Sequence, residues 1–163
     1  MKKRNLKKYV LILSFLSIVF SSGSINAQSD KPNTNENKIN GYEITKVAEE
    51  MPRFPGCEDK ISDKEKEDCA RTKMLEYVYR NLTYPTKARK KRTQGQTVLQ
   101  FVVTDEGRID HVNIVRDIGD GCGDAVKKVI ESMNQMNESW IPGRKGGKNV
   151  NVIYTLPVKF SLR

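Results

Sequence analysis

The sequence has few residues of the kinds that usually carry catalysis or bind metals. It contains one histidine and three cysteines among 163 residues. It has no histidine pair at metal-binding spacing, no nucleophile beside a base and no phosphate-binding loop, and GDGCGD at residues 119–124 lacks the spacing of a calcium loop. His111 alternates with the apolar residues of its predicted strand and is therefore expected at the surface. These absences predict a binding protein rather than an enzyme, with no cofactor and no metal.

Long apolar runs are also missing, apart from the 12 residues from Tyr9 to Phe20. Five basic residues precede this run, and small polar residues follow it up to Ala27, which is the layout of a secretory signal peptide. We predict that residues 1–27 are a signal peptide cleaved after Ala27. A short membrane anchor is the alternative, although a spanning helix needs about 20 residues.

The net charge of +9 depends largely on that leader. Without the five basic residues of positions 1–27, the chain carries 24 basic and 20 acidic residues, a net charge of +4. An exported and mildly basic chain lacks the electrostatic footprint of a nucleic-acid-binding protein, so we predict no nucleic-acid partner. The leader therefore predicts an exported protein, or one that stays anchored in a membrane if residues 1–27 are retained.

Residues 28–48 are predicted to be a polar linker, because Gln28–Asn40 has no aromatic residue and only one proline. Brief alternation at Gly41–Val47 predicts a short strand at its end. The domain follows, over residues 49–163. Helical spacing of apolar residues predicts helices over Asp63–Leu82 and Cys122–Met136, and Pro85 is expected as the first residue of a short basic helix.

Alternating apolar residues predict three longer strands. Gln96–Thr104 and Ile109–Arg116 form a hairpin around Gly107, and Asn149–Leu162 closes the chain. In this last strand the even positions are all apolar from 150 to 162, namely Val150, Val152, Tyr154, Leu156, Val158, Phe160 and Leu162. Pro157 sits on the polar parity of this last strand. Since proline cannot donate to a sheet ladder, its place predicts an exposed edge. The predicted fold class is α+β, with a three-stranded antiparallel sheet covered by helices.

The cysteines are expected to have different roles. Cys57 lies in a turn and Cys69 near the start of a helix, and in an oxidising compartment a disulfide between them is the economical interpretation. A redox pair is the alternative, although the spacing is unlike CxxC. Cys122 begins an apolar helical stripe and is expected to be buried, with a reactive thiol at the helix N-terminus as the less favoured interpretation.

Several landmarks resemble the C-terminal domain of TonB, the periplasmic energy transducer of outer-membrane transport. They are Tyr84-Pro85 with Ala88, Gly95 before QTVLQFVVTDEGRIDHVNIV, Trp140 with Pro142-Gly143, and the closing VNVIYTLPVKFSL. EEMPRFPGCE is similar to the lead-in of a branch of TonB-like proteins with paired cysteines. The resemblance covers about Glu49–Leu162 and implies a TonB C-terminal-like fold.

In that family, the domain binds the TonB box, an extended segment of an outer-membrane receptor, as a strand beside the last strand of the sheet. The resemblance therefore implies an outer-membrane TonB-dependent receptor as partner. Because Pro157 would end the ladder, the expected partner-binding residues are those before it: Asn149, Val150, Asn151, Val152, Ile153, Tyr154, Thr155 and Leu156. The odd-numbered N–H groups, which share the parity of Pro157, are expected to face outward.

Two other functions compete with this interpretation. The full transducer also has a spanning helix that engages an inner-membrane proton-driven motor complex, and a long proline-rich spacer. This chain would engage the motor only if residues 1–27 are retained, and its predicted linker is short. A free periplasmic interaction module of an envelope assembly, without energy transduction, is therefore the alternative. A thiol enzyme is disfavoured by the cysteine spacing.

Overall fold

The computed structural model describes residues 38–39 and 41–162. The elements in chain order are β1 (Lys38–Ile39), β2 (Tyr42–Thr45), α1 (Asp63–Asn81), α2 (Thr86–Lys91), β3 (Gly95–Val103), β4 (Ile109–Arg116), α3 (Cys122–Ser132), a 3₁₀ turn (Met133–Gln135), β5 (Gly143–Lys145) and β6 (Lys148–Phe160). No helix in this part of the chain has the length and apolarity needed to cross a bilayer. The predicted signal peptide or anchor, residues 1–27, and the predicted linker up to residue 37 lie outside the described residues.

The strands form one mixed sheet in the order β1-β2-β6-β3-β4, with β5 also paired to β6. The three predicted strands are β3, β4 and β6, and they pair antiparallel as expected. The α+β class is confirmed. The sheet nevertheless has six strands rather than three, and β2 pairs with β6 in parallel. β2 is the short strand that alternation predicts at Gly41–Val47.

Local sequence signals account for the bounds of α1. The Ser62 hydroxyl accepts a hydrogen bond from the Glu65 N–H, and the Glu65 carboxylate accepts one from the Ser62 N–H, which makes a capping box. The hydrogen bonds that the Glu65 carboxylate accepts from the Ser62 N–H and the Ser62 hydroxyl lower the pKa of Glu65. The helix buries Ala70, Met74 and Val78 on one face. It ends at Asn81, shortly before Pro85, which precedes α2 as its N-cap instead of being its first residue.

The β3–β4 hairpin needs glycine at its turn. Gly107 has φ +78°, and a Cβ at this position would lie 2.1 Å from the Trp140 carbonyl oxygen. The Trp140 N–H donates to the Gly107 carbonyl at 3.1 Å, so the turn is tied to the chain that enters β5. A substitution at Gly107 would therefore both strain the backbone and separate these two segments.

The core lies between the sheet and the helices. On β6, Val152, Leu156, Val158 and Phe160 are buried and Val150 and Tyr154 are partly buried, which follows the predicted alternation. Leu99 and Phe101 of β3 are buried with them. Trp140 is only 2% exposed, and its ring contacts the aromatic rings of Phe54, Phe101 and Tyr154. These ring partners lie on β3, on β6 and on the Phe54 segment.

The cysteine predictions are confirmed. Cys57 and Cys69 form a disulfide that joins the Pro52–Gly56 turn region to the first turns of α1. Their separation of 12 residues gives a stabilisation of about 3 kcal/mol in the chain-entropy treatment of the unfolded state. Cys122 is free and buried. Burial raises the pKa of its thiol, and Asp117 and Asp120 raise it further, so the site disfavours a reactive thiolate.

Candidate functional site

The side of β6 that faces away from β3 is the candidate site. β6 pairs with β3 over nine residues, from Val152 opposite Val103 to Phe160 opposite Gly95. The Lys159 N–H does not join this ladder but donates to the Tyr79 hydroxyl of α1 at 3.2 Å. Successive N–H groups of a strand point to opposite sides. The odd-numbered N–H groups of β6, including those of Ile153 and Thr155, therefore face away from β3.

Both ends of this side are occupied. At one end β2 pairs with β6 through Ile44 opposite Asn151 and Thr45 opposite Val152. At the other end the Tyr79 hydroxyl caps Lys159. Between them, none of the strands in the described part of the chain pairs with this side of β6. We call the stretch Ile153–Pro157 the free edge.

A local turn explains why β2 stops where the free edge begins. The Thr45 hydroxyl donates to the Val47 carbonyl at 2.7 Å and accepts from the Val47 N–H at 3.3 Å. Such a side-chain turn diverts the backbone from an extended path. β2 therefore leaves β6 after Thr45. Because the odd-numbered N–H groups face β2 and Thr45 is in parallel register with Val152, the Ile153 N–H still lies against the Thr45 carbonyl. The Ile153 C=O and the N–H and C=O of Thr155 are left without a strand beside them.

A groove of about 410 Å³ lies along the free edge. Ile153, Tyr154 and Thr155 form one wall, α1 forms another, and the segment Met51–Phe54 forms the third. The residues that line it are Lys46, Met51, Pro52, Arg53, Phe54, Glu67, Ala70, Arg71, Met74, Ile153, Tyr154 and Thr155. We call this cavity the edge groove. Its floor is apolar and its rim carries charges of both signs.

Arg53 fixes the third wall of the edge groove. It is only 7% exposed, and its guanidinium lies 3.2 Å from a Glu58 oxygen and 3.8 Å from a Glu50 oxygen. Its backbone exchanges hydrogen bonds with Ile141, at 3.0 Å and 2.9 Å. A buried arginine is tolerated because carboxylates compensate its charge. The wall is thus held by both an ion-pair cluster and a backbone bridge.

The helical wall is fixed to the same segment. The Cys57–Cys69 disulfide connects the chain just after Phe54 to α1, one residue before Ala70 of the groove wall. The Lys73 ammonium also donates to the Gly56 carbonyl. Two links therefore hold α1 against the Met51–Phe54 segment, and the width of the edge groove is set by rigid parts of the fold.

Burial and two charged residues of the edge groove change the pKa of Tyr154. Burial raises the pKa of its hydroxyl, Arg71 lowers it and Glu67 raises it again. The two charges come from neighbouring turns of α1 and oppose each other at the phenol. The groove therefore offers an apolar surface with charges of both signs among its lining residues, which suits a side chain of an extended peptide better than an ion.

The structure separates the eight residues expected to bind a partner into two groups. Asn149 and Val150 pair with β5 in a hairpin, and Asn151 and Val152 pair with β2. Ile153, Tyr154, Thr155 and Leu156 pair with β3 but have no strand on the other side among the described residues. The expected edge is therefore open only in its second half.

Sequence patterns gave no signal for several groove residues. Glu67, Ala70, Arg71 and Met74 belong to a helix whose position against β6 depends on the tertiary fold, and so does the Tyr79 cap. Pairing between β2 and β6 joins residues more than one hundred positions apart. The segment Met51–Phe54 contains Pro52 and precedes Pro55, a pattern typical of a turn. In the structure Arg53 of this segment bridges to Ile141, and the preceding Glu50 bridges to Arg144.

Over the residues described, no group of three or more histidine, cysteine, aspartate or glutamate side chains is arranged to hold a metal ion. His111, the single histidine, lies on β4 with its Nδ1 3.3 Å from the Asp110 carboxylate. That strand is on the far side of β3 from the free edge. The candidate site is therefore built from backbone groups and an apolar groove.

Comparison with known proteins points to one family. The family model described as Gram-negative bacterial TonB protein C-terminal matches residues 80–162, just over half of the chain. No curated protein matches.

Two solution structures of the TonB C-terminal domain of Helicobacter pylori are similar to the chain. One has 18% identity and a TM-score of 0.43, over 57% of this chain and 94% of that one. The other has 16% identity and a TM-score of 0.45, over 66% and 89%.

Proposed function

Because the chain belongs to the Gram-negative bacterial TonB C-terminal family, we propose that it binds an extended segment of an outer-membrane receptor by strand addition at the free edge of β6. The family consists of interaction modules of the cell envelope rather than enzymes. The partner segment would add beside β6 and hydrogen-bond to its outward-facing backbone groups. The proposed role is coupling of energy to transport across the outer membrane, in the periplasm.

One observation supports this proposal. Backbone hydrogen-bonding groups of β6 are unpaired between the end that β2 covers and the end that the Tyr79 hydroxyl caps. The N–H of Thr155 and the C=O groups of Ile153 and Thr155 face away from β3, and no strand covers them in the described part of the chain. Unpaired strand groups of this kind are a template for an added strand. Pro157 lies on the same parity and has no N–H, so a ladder added from Ile153 would weaken there.

The edge groove supplies the selectivity of the proposed site. Side chains of an added strand alternate between its two faces, so every second one would fall toward α1. There it would contact the apolar surface of Phe54, Met74 and Tyr154. We therefore propose that the partner segment carries apolar side chains at alternate positions, and that Glu67 and Arg71 at the rim select among such segments.

Two proline substitutions test the proposal, because N–H groups of neighbouring residues point to opposite sides. Ile153→Pro removes an outward N–H and should abolish binding of a peptide that carries the TonB box of an outer-membrane receptor, with the fold kept. Val152→Pro removes an N–H on the β3 side and should unfold the domain. Ile153→Ala is the side-chain control, since it keeps the N–H and should retain most of the binding.

Circular dichroism and fluorescence anisotropy with the labelled peptide provide the readouts. If Ile153→Pro and Val152→Pro both stay folded and bind the peptide as well as the unaltered chain, the docking edge lies elsewhere. The same conclusion follows if Ile153→Ala loses as much affinity as Ile153→Pro, because the N–H would then be irrelevant.

A free periplasmic interaction module without energy transduction is the second candidate. It is favoured by the run of residues 1–27, which has the layout of a cleavable signal peptide. Engagement of an inner-membrane proton-driven motor complex requires that this run be retained as an anchor. The N-terminal residue of the protein recovered from cells separates the two, since a protein that begins at Gln28 has no anchor.

A further inference from the structure

β2 and the proposed partner strand use the same side of β6. Val152 pairs with Val103 of β3 and also with Thr45 of β2, so these two strands must lie on opposite sides of β6. The free edge begins at the next residue, Ile153. β2 is therefore in line with the strand that a partner would add, and it ends where that strand would begin.

With β2 in place, the free edge offers few backbone donors. The available outward N–H is that of Thr155, because the Ile153 N–H lies against the Thr45 carbonyl, Pro157 has no N–H and Lys159 is capped by Tyr79. If β2 were absent, the outward N–H groups of Asn151 and Ile153 would join it. A partner strand that runs the length of the expected site, Asn149–Leu156, cannot be accommodated while β2 occupies Asn151 and Val152.

The attachment of β2 to β6 is small. Only two residue pairs join them, against nine between β3 and β6. Among the described side chains of β2, that of Ile44 is buried at 4% exposure, and it does not belong to the main core cluster. The Asn151 amide donates to the Glu43 carbonyl at 3.1 Å. β2 can thus leave without disturbing the β3–β6 ladder or the core.

We propose that β2 is a resident strand that occupies the upper part of the docking edge and that a partner must displace it; this rests on the proposed function. A covalently attached strand competes at a high effective concentration. The affinity for a partner is then reduced by the fraction of molecules in which β2 is docked. The segment before the domain thereby lowers the affinity of the chain for a receptor.

The test compares three full-length chains. Ile44→Asp places a charge in the site that buries Ile44, so it should release β2. Val47→Asp makes the same chemical change at a neighbouring residue that is already 74% exposed, and it serves as the matched control. The first probe is a labelled peptide with the sequence GYEITKV, residues 41–47, and the second is the TonB-box peptide used above.

If β2 is a resident strand, Ile44→Asp should bind GYEITKV about tenfold or more tightly than the unaltered chain, as expected when most molecules have the edge occupied. It should also bind the TonB-box peptide more tightly, by a similar factor. Val47→Asp should match the unaltered chain with both probes. Equal or undetectable binding of GYEITKV by all three chains overturns the inference.

Hydrogen exchange of the unaltered chain provides a second measurement that does not depend on the folding of a variant. Saturating TonB-box peptide should speed exchange at the amides of Glu43–Thr45 and slow it at Thr155. Slower exchange at Thr155 without release of β2 overturns the inference and leaves the proposed function intact. If the TonB-box peptide binds none of the chains while GYEITKV binds Ile44→Asp, the proposed function fails and the resident strand stands.

Discussion

The Lys159 backbone N–H donates to the Tyr79 hydroxyl at 3.2 Å, so a side chain of α1 closes the lower end of the β6 edge. This contact has two consequences. It fixes the parity of β6, with odd-numbered N–H groups on the side away from β3. It also satisfies a donor that would otherwise extend the free edge beyond Pro157 and offer a further site for edge-to-edge association.

Tyr79→Phe should release the Lys159 N–H with little loss of stability. Tyr79 is 48% exposed, so losing one hydrogen bond should cost about 1 kcal/mol or less. Hydrogen exchange should show a faster amide at Lys159. Tyr77→Phe is the matched control, because the Tyr77 hydroxyl lies 3.2 Å from Ser132 and not on β6. An unchanged Lys159 amide in Tyr79→Phe would contradict the capping role.

Trp140→Ala should be severely destabilising. Trp140 is 2% exposed, and its ring lies 5.6 Å from that of Phe54, 5.7 Å from Phe101 and 5.4 Å from Tyr154. Removing a buried aromatic of this size should cost about 3–5 kcal/mol. Urea unfolding measures the loss.

Phe54 and Tyr154, which contact Trp140, also line the edge groove. The folded fraction of the Trp140→Ala protein should therefore bind the TonB-box peptide more weakly than the unaltered chain. Val115→Ala is the surface control, since Val115 is 54% exposed and the change should stay within about 0.5 kcal/mol. A loss below about 1 kcal/mol for Trp140→Ala would show that the aromatic cluster does not hold this part of the core.

Much of the fold could be predicted from local patterns. The alternation in β6 predicted which residues are buried, and helical spacing predicted α1 and α3 to within a few residues of their ends. Pro157 correctly indicated a side of β6 without a neighbouring strand, because the missing N–H is a property of one residue. Each of these signals depends on residues close together in the chain.

The rest depends on contacts between distant residues. β6 is not the outermost strand, because β2 covers Asn151 and Val152, and nothing in the short YEIT run specifies a parallel partner so far along the chain. The walls of the edge groove likewise come from segments brought together by a disulfide and an arginine–glutamate cluster. Sequence patterns therefore predicted one wall of the candidate site and left the other two unknown.

The last prediction concerns Asp120, which links the loop before α3 to the region of α2. Its carboxylate accepts hydrogen bonds from the Thr93 hydroxyl at 2.7 Å and lies 2.9 Å from the Lys91 ammonium. The bonds from Thr93 and Lys91 lower the pKa of Asp120 below its usual range. A lowered folded-state pKa means that the stabilisation is present above the unfolded-state pKa of about 3.9. It is lost as the pH falls through the folded-state pKa.

Asp120→Asn should therefore lower the melting temperature at neutral pH, and the difference from the unaltered chain should shrink as the pH falls below about 4. Asparagine is a fair replacement because Asp120 has φ +55°, a conformation that asparagine tolerates. Glu138→Gln makes the same charge change at an exposed residue and should leave the pH profile unaltered. Thermal unfolding from about pH 2 to about pH 7, a range that brackets the titration of aspartate, measures the two variants. A constant difference across that range would mean that the Asp120 carboxylate does not stabilise the link through its charge.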